Sequence, residues 1–198
     1  IKINVSKFKK VNQKSFLRKI FSSYKISNVL ISSVVPDMTK CFIEILEKFK
    51  IHYFQTKNLL EICGLKTNLK NKKTIGDDRL INIIYAKKLY SKSIMIIDFG
   101  TATTIDILDK HGVYDGGVIT PGIELSLKSL KEGTAKLPLV NFKKTRSIIG
   151  KSTKEAIQSG FFWGYISMMQ GLVSKIVKEK KHKFDLILTG GNSKTFKE

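Results

Sequence analysis

The sequence predicts an α/β fold, and three observations support that prediction. Segments with helical spacing of apolar residues alternate with short β-branched runs through the first half of the chain. Three strand patterns then follow one another between residues 93 and 120 without a helix between them. A long helix from Ser152 to about Lys180, followed by one more strand, completes the pattern. With 198 residues, 42% of them hydrophobic, the chain is large enough to bury a core.

The first half of the chain predicts alternating helices and strands. Helical spacing favours helices over residues 12–24, 38–49 and 77–90, and β-branched runs favour strands over 28–35 and 51–55. The strand over 28–35 stops at Pro36, and Asp37 or Thr39 can cap the helix that follows. Residues 60–73 are polar and rich in lysine, which predicts a surface loop.

The second half begins with a predicted three-stranded antiparallel meander. Its strands are 93–100, 101–109 and 113–120, separated by a corner at Gly100 and a turn at residues 110–112. A helix over 123–133 and a loop containing Pro138 follow. Ser152 and Glu155 form a capping-box pattern at the start of the long helix, and residues 184–191 form the last strand.

The net charge of +20 raises the question of a nucleic-acid partner. Only Arg18, Arg79 and Arg146 are arginines among the 36 basic residues, whereas nucleic-acid sites favour arginine for its bidentate fork. The abundance of lysine, isoleucine and asparagine is typical of AT-rich coding. The composition therefore argues against a nucleic-acid partner, although a positive field attracts anionic small molecules such as ATP.

Cysteine content and hydropathy indicate the compartment. Cys41 and Cys63 are too few for a disulfide framework or a zinc site, and we expect both to be small buried hydrophobic residues. No apolar run is long enough to span a bilayer, and the start of the sequence lacks a signal-peptide pattern. The cytoplasm is the expected location, with no membrane partner.

The stretch IIDFGTATTIDILD, residues 96–109, is the first candidate site. A glycine after a strand lets backbone N–H groups approach a ligand, and Thr101, Thr103 and Thr104 add hydroxyl donors for phosphate oxygens. Asp98 supplies a hard oxygen ligand for a cation that accompanies phosphate. The same pattern is also common in a simple turn between two strands, because threonine is a good strand former.

The stretch TIGDDRL, residues 74–80, is the second candidate site. One of its carboxylates can act as a general base on a substrate hydroxyl while Arg79 holds a polar group of the substrate. Alternatively, Asp77 or Asp78 caps the N-terminus of the helix.

Three further glycine-rich stretches follow. DGGVITPG (115–122) reads as a strand between tight turns, and LTGGNS (188–193) can lie against a nucleobase or ribose. GKST (150–153) is not a P-loop because the earlier glycine is missing, but its helix N-terminus suits an anionic group.

Taken in order, the segments ISSVVP, GDDR, DFGTATTID, GGVITPG, TAKLP, GKST and TGG resemble the type III pantothenate kinase family. The resemblance extends from about Lys25 onward, with 20 residues from Asp78 to Asp98 and 55 from Asp98 to Thr153. It implies ATP-dependent phosphorylation of pantothenate to 4'-phosphopantothenate, the first step of coenzyme A biosynthesis. The implied cofactors are ATP with Mg²⁺ and a monovalent cation, K⁺ or NH₄⁺.

The resemblance also implies a fold: the actin-like ATPase, sugar kinase and Hsp70-like duplicated fold of two ribonuclease-H-like lobes. We expect two tightly joined lobes at residues 1–92 and 93–198. The family's first strand with its phosphate loop, and its last segment, have no counterpart in this sequence, and truncation is the expected reason.

The resemblance assigns roles to individual residues. Asp78 is the implied catalytic base, and Asp98 is the implied cation ligand. The implied ATP contacts are Gly100 and Thr101. The implied pantothenate contacts are Gly76, Asp77, Asp78, Arg79 and Thr153, the last of them reaching the neighbouring subunit's site. Leu69 stands where the family often has a tyrosine, which puts one substrate contact in doubt.

The long helix bears on the oligomeric state. Gly160, Gly164, Ser167 and Gly171 form a small-residue stripe that can receive either a second copy of the chain or the chain's own sheet. The cross-subunit role implied for Thr153 favours the homodimer. The alternative function is a catalytically silent family relative that acts as a regulatory or binding protein; the presence of the implied catalytic residues argues against it.

Overall fold

The computed structural model describes residues 13–33, 35–56, 59, 62–71 and 74–197. The chain divides into two units, Ile1–Gly64 with Lys73–Ile81, and Leu65–Lys72 with Asn82–Glu198. The stretch IKINVSKF at the start of the sequence lies outside the described residues. The predicted division into lobes at residues 92 and 93 stays a prediction.

The first unit contains two helices and a small parallel sheet. Its elements are α1 (Gln13–Ser23), β1 (Asn28–Ile31), α2 (Pro36–Lys48) and β2 (His52–Gln55). The two strands pair in parallel, with Asn28 opposite His52. The buried hydroxyl of Thr56 donates to the carbonyl of Ile31 at 2.9 Å and so ties the end of β2 to the end of β1. The predicted alternation of helix and strand is confirmed in this unit.

The start of α2 differs from the prediction. Val35 is the N-cap residue and Pro36 occupies the first turn, so neither Asp37 nor Thr39 caps the helix. The hydroxyl of Thr39 instead donates back to the carbonyl of Val35 at 3.1 Å. Proline needs no N–H partner at this position and its fixed φ suits the first turn, which is why the helix begins earlier than predicted.

The second unit contains a four-stranded mixed sheet and the long helix. Its strands are β3 (Ile94–Phe99), β4 (Ala102–Leu108), β5 (Tyr114–Pro121) and β6 (Asp185–Gly190). The order is β5-β4-β3-β6, with β3, β4 and β5 antiparallel and β6 parallel to β3. The predicted meander is therefore confirmed, and the last strand pairs with β3, the first strand of the meander.

Three helices and a short 3-10 turn accompany the sheet. They are α3 (Asp77–Leu89), α4 (Ile123–Glu132), α5 (Thr153–Lys180) and the 3-10 turn Ser193–Phe196. The residues of α3 up to Ile81 belong to the first unit and those from Asn82 to the second. The end of α5 at Lys180 agrees with the prediction.

One face of α5 packs on the sheet. Met169 lies in a buried cluster with Met95, Ile97, Phe99 and other apolar residues of β3 and β4. By contrast, a Cβ added at Gly160, Gly164 or Gly171 would meet nothing within 4 Å. The small-residue stripe therefore faces away from the sheet of its own chain.

Among the described helices, none is long and apolar enough to cross a membrane.

Residues 65–71 are held against the sheet, although the sequence predicts a surface loop there. Leu65 is buried, and the backbone N–H of Asn68 donates to the carbonyl of Tyr114 at 3.0 Å. The N–H of Tyr114 donates in turn to the carbonyl of Lys66 at 2.9 Å. The segment thus runs along the start of β5 and extends its hydrogen bonding.

The expectation that both cysteines are buried is wrong for Cys63. Cys63 is exposed and Cys41 is half-buried. Cys63 lies in the turn that precedes residues 65–71, and this position explains its exposure.

Candidate functional site

The turn between β3 and β4 carries the first candidate site. Gly100 and Thr101 form a two-residue connection, closed by a bond from the N–H of Gly100 to the carbonyl of Ala102 at 3.2 Å. Both residues are exposed, and Asp98 is half-buried at the end of β3. The predicted corner is therefore present. The carboxylate of Asp98 precedes the exposed Gly100 by two residues and the exposed Thr101 by three.

Two distant glycines support this turn from behind. The N–H of Gly122 donates to the carbonyl of Thr101 at 3.0 Å, and a Cβ at Gly122 would overlap that carbonyl. Gly190 has φ +90°, and a Cβ there would lie 2.5 Å from Oδ1 of Asp98 and 2.6 Å from the backbone of Phe99. Gly122 was predicted in a tight turn and Gly190 in a stretch that can lie against a nucleobase or ribose, but their shared role of close backbone approach was not predicted.

Of the three threonines, only Thr101 is placed to meet a ligand. Thr103 and Thr104 are 1% and 6% exposed, so the expectation that their hydroxyls are phosphate donors is wrong in this structure. Thr104 instead donates to Oδ2 of the buried Asp106 at 3.3 Å. Oδ1 of Asp106 accepts from the hydroxyl of Tyr114 at 2.7 Å. Successive side chains point to opposite faces of a strand, and both faces of β4, an inner strand of the sheet, are buried.

The orientation of Asp98 depends on a residue that sequence reasoning missed. Asn82, on α3, donates from its side-chain amide to Oδ2 of Asp98 at 2.8 Å. Both residues belong to the second unit and are partly buried. The one signal in the sequence is a polar amide in an otherwise apolar stretch of the helix.

The second candidate site lies at the start of α3 in the first unit. Asp78 is exposed, and its Oδ1 accepts from the N–H of Arg79 at 2.8 Å. Oδ2 of Asp77 accepts from the N–H of Ser33 at 3.4 Å. Asp78 thus binds a backbone N–H of its own helix, as the capping alternative predicts, whereas Asp77 binds one outside that helix. The exposure of Asp78 leaves it able to meet a substrate. Gly76 lies beside them, where a Cβ would be 3.0 Å from Oδ1 of Asp78.

The third candidate site is the N-terminus of α5. The hydroxyl of Ser152 accepts from the N–H of Glu155 at 3.3 Å, which confirms the predicted cap. The carboxylate of Glu155 accepts a hydrogen bond from the backbone N–H of Lys151 at 2.8 Å. In a standard capping box the donor would be the N–H of the N-cap residue, here Ser152, one residue later. Thr153 is exposed in the first turn of the helix. Gly150 packs so closely on this turn that a Cβ would overlap the N–H of Ala156.

A tyrosine of α5 binds the end of β5 and the helix α4 that follows it. Tyr165 donates to the carbonyl of Pro121 at 2.8 Å and pairs with the hydroxyl of Ser126 at 3.1 Å. Burial raises the pKa of Tyr165 above its ordinary value, and the bond with Ser126 opposes that rise. Because Pro121 directly precedes Gly122, α5 helps to hold the glycine that supports the Gly100–Thr101 turn.

The candidate residues therefore lie in three groups. Asp98, Gly100 and Thr101 share one turn; Gly76, Asp77, Asp78 and Arg79 share a helix start; Thr153 begins α5. The described residues contain no group of three or more His, Cys, Asp or Glu side chains that could hold a metal ion. A single carboxylate such as Asp98 suits a hard cation that takes its other ligands from phosphate, water and backbone oxygens.

The chain has an α/β fold with a mixed sheet, and this fold with its three groups of candidate residues is consistent with a kinase. A family model described as type III pantothenate kinase matches residues 4–175. A type III pantothenate kinase from Sulfurihydrogenibium sp. (strain YO3AOP1) is 41% identical over 174 residues, covering 87% of this chain and 69% of the relative. One from Pelagibacter ubique (strain HTCC1062) is 40% identical over 196 residues, covering 96% and 77%. The chain belongs to the type III pantothenate kinase family.

Other comparisons concern length and fold. A type III pantothenate kinase from Persephonella marina is 38% identical, and the match spans 66% of that relative's length. A crystal structure from Campylobacter jejuni, of a protein named for the Baf family of transcriptional activators, matches with a TM-score of 0.58 at 20% identity. That match covers 93% of this chain and 76% of the other. At this identity the likeness concerns the fold alone.

Proposed function

We propose that the chain catalyses the ATP-dependent phosphorylation of pantothenate to 4'-phosphopantothenate, the first step of coenzyme A biosynthesis. The observation that carries the proposal is the family match over residues 4–175, which includes the residues of all three site groups. Asp78, Asp98, Thr101 and Thr153 stand at the segments that resemble the family's motifs.

Asp78 is the proposed general base. Its exposed carboxylate takes the proton of the primary hydroxyl of pantothenate as that oxygen bonds to the γ-phosphorus of ATP. The bond from the γ-phosphorus to the bridging oxygen breaks, and ADP leaves with the bonding electrons. The N–H of Arg79 holds Oδ1 of Asp78 at 2.8 Å, which fixes the carboxylate at the helix start. Gly76, Asp77 and the Arg79 guanidinium bind the substrate in this proposal.

Gly100 and Thr101 are the proposed contacts for ATP. Both are exposed on a turn that Gly122 and Gly190 support, so the Thr101 hydroxyl and the exposed Gly100 backbone are positioned before a nucleotide binds. Asp98, two residues earlier, would hold a monovalent cation, K⁺ or NH₄⁺. Together with Mg²⁺ on the nucleotide, such a cation would neutralise charge on the phosphates.

Turnover and one substitution test this function. We expect the chain, with MgATP and potassium, to release ADP only when pantothenate is present, and Asp78→Asn to lower kcat by about 10²-fold or more. Asp37→Asn is the matched control, because Asp37 is also an exposed acid in the first turn of a 13-residue helix. A wild-type chain without pantothenate-dependent ADP release would contradict the proposal and favour a catalytically silent family relative.

We also propose that the chain forms a homodimer through α5, with Thr153 contacting pantothenate in the neighbouring subunit. The support is the open face of α5, where Gly160, Gly164 and Gly171 leave room for a second backbone. Gly164→Leu places a large side chain on this face. It should shift the mass measured by light scattering from that of a dimer to that of a monomer. Gln170→Leu, at another exposed position of α5, should leave the mass unchanged.

The finer statements on fold and location are also proposals. The order β5-β4-β3-β6, a meander followed by a parallel strand, supports the ribonuclease-H-like lobe of the actin-like ATPase, sugar kinase and Hsp70-like fold. An experimental structure with nucleotide would test the lobes proposed at residues 1–92 and 93–198. Fractionation of cells would test the proposed cytoplasmic location.

A further inference from the structure

The carboxylate of Asp98 lies between a hydrogen-bond donor and a glycine. The side-chain amide of Asn82 donates to Oδ2 at 2.8 Å. On the other side, Oδ1 lies where a Cβ at Gly190 would be only 2.5 Å away, and a Cβ at Gly100 would be 3.5 Å away. The amide of Asn82 therefore orients the carboxylate through Oδ2, and the missing side chain of Gly190 leaves room for Oδ1 in that orientation.

The chemistry of the Asn82 donor suits a carboxylate that must also hold a cation. An amide orients the oxygen through a hydrogen bond and adds no positive charge of its own. Asp115 provides a contrast in the same unit: it accepts from the amide of Asn68 at 2.8 Å and also binds the ammonium group of Lys180 at 2.6 Å. Lys180 adds a positive charge beside Asp115, whereas the amide of Asn82 adds none beside Asp98.

We propose that Asn82 is a positioning residue for the reaction, which acts by holding the Asp98 carboxylate in its cation-binding orientation. This inference rests on the cation role of Asp98 in the proposed function. Groups that orient a metal ligand in this way change cation affinity or activity by about 10–100-fold when they are removed. Asn82 needs no contact with substrate to have this effect.

Potassium binding tests the inference without depending on turnover. The melting temperature of the full chain is measured against KCl, with choline chloride keeping the ionic strength constant. We expect Asn82→Ala to need at least about 10-fold more potassium than wild type for the same rise in melting temperature. The potassium concentration for half-maximal ADP release should rise by a similar factor, with the KM for pantothenate unchanged.

Asn68→Ala is the matched control, because it removes an Asn–Asp hydrogen bond of the same 2.8 Å length in the same unit. Its potassium response should equal that of wild type. If Asn82→Ala does not fold, Asn82→Ser replaces it, since the shorter side chain loses the reach to Asp98 but stays polar.

The outcomes separate the two proposals. An unchanged potassium response in the folded Asn82 variants overturns the role of Asn82, and so does a wild-type chain that shows no potassium response at all. A wild-type chain that responds to potassium in its melting temperature but never phosphorylates pantothenate contradicts the proposed function alone. The comparison of Asn82→Ala with Asn68→Ala still decides the role of Asn82 in that case.

Discussion

The substitution Gly190→Ala should destabilise the second unit strongly. Gly190 has φ +90°, and an L-residue in the left-handed region costs about 1–2 kcal/mol. The new Cβ would lie 2.5 Å from Oδ1 of Asp98 and 2.6 Å from the backbone of Phe99, about 1 Å inside ordinary contact. Relieving such overpacking costs about 1–3 kcal/mol more. The expected loss is therefore roughly 2–5 kcal/mol, a large part of the 5–15 kcal/mol typical of a folded protein.

Urea unfolding measures this loss. The single tryptophan, Trp163, lies on α5 in the same unit, so its fluorescence and the far-ultraviolet circular dichroism report the same transition. Gly191→Ala is the control, because a Cβ there meets nothing within 4 Å and its φ lies outside the left-handed region. A loss below about 0.5 kcal/mol for Gly190→Ala would refute the close-approach argument. Equal losses for the two variants would refute it as well.

Three further predictions concern hydrogen bonds of α5. The hydrogen bond from Asn68, and next the ammonium group of Lys180, hold the pKa of Asp115 below its ordinary value of 3.8. These two partners therefore stabilise the folded chain above pH 3.8, and this stabilisation is lost as the pH falls through the lowered pKa. Thermal melts should therefore show the gap between wild type and Lys180→Met closing below pH 3.8. Ser152→Ala removes the cap of α5 and should cost about 1 kcal/mol in urea unfolding, with Ser174→Ala, an exposed position within the helix, as its control. Tyr165→Phe removes the bond to Pro121 and should cost about 1 kcal/mol by the same measurement; a change of zero would mean that water replaces the bond.

Local patterns predicted the secondary structure well because their signals lie within single elements. The three strand patterns between residues 93 and 120 became the meander, and the Ser152 cap marked the start of α5. The start of α2 was misjudged because a proline in the first turn competes with the side-chain caps that the sequence also offers. Here a backbone preference outweighed a possible hydrogen bond.

The candidate site was predicted less completely because its supporting contacts join segments far apart in the chain. Gly122 and Gly190 meet the β3–β4 turn through the sheet and its connections, which no local pattern records. Asn82 reaches Asp98 from a helix 16 residues earlier in the sequence. Thr103 and Thr104 point to opposite faces of β4 and are both buried, because β4 is an inner strand whose two faces are covered; local alternation alone does not predict this.

The pairing of residues 65–71 with β5 has a consequence for dynamics. Amide hydrogens exchange with solvent through local openings, so hydrogens bonded within a sheet exchange slowly even in a segment without regular structure. The amides of Asn68 and Tyr114 both take part in this pairing. They should exchange together with the central strands, while proteases should cleave first at exposed Lys70, beyond the last of these bonds. In its motions, the part of this segment up to Asn68 therefore belongs to the sheet.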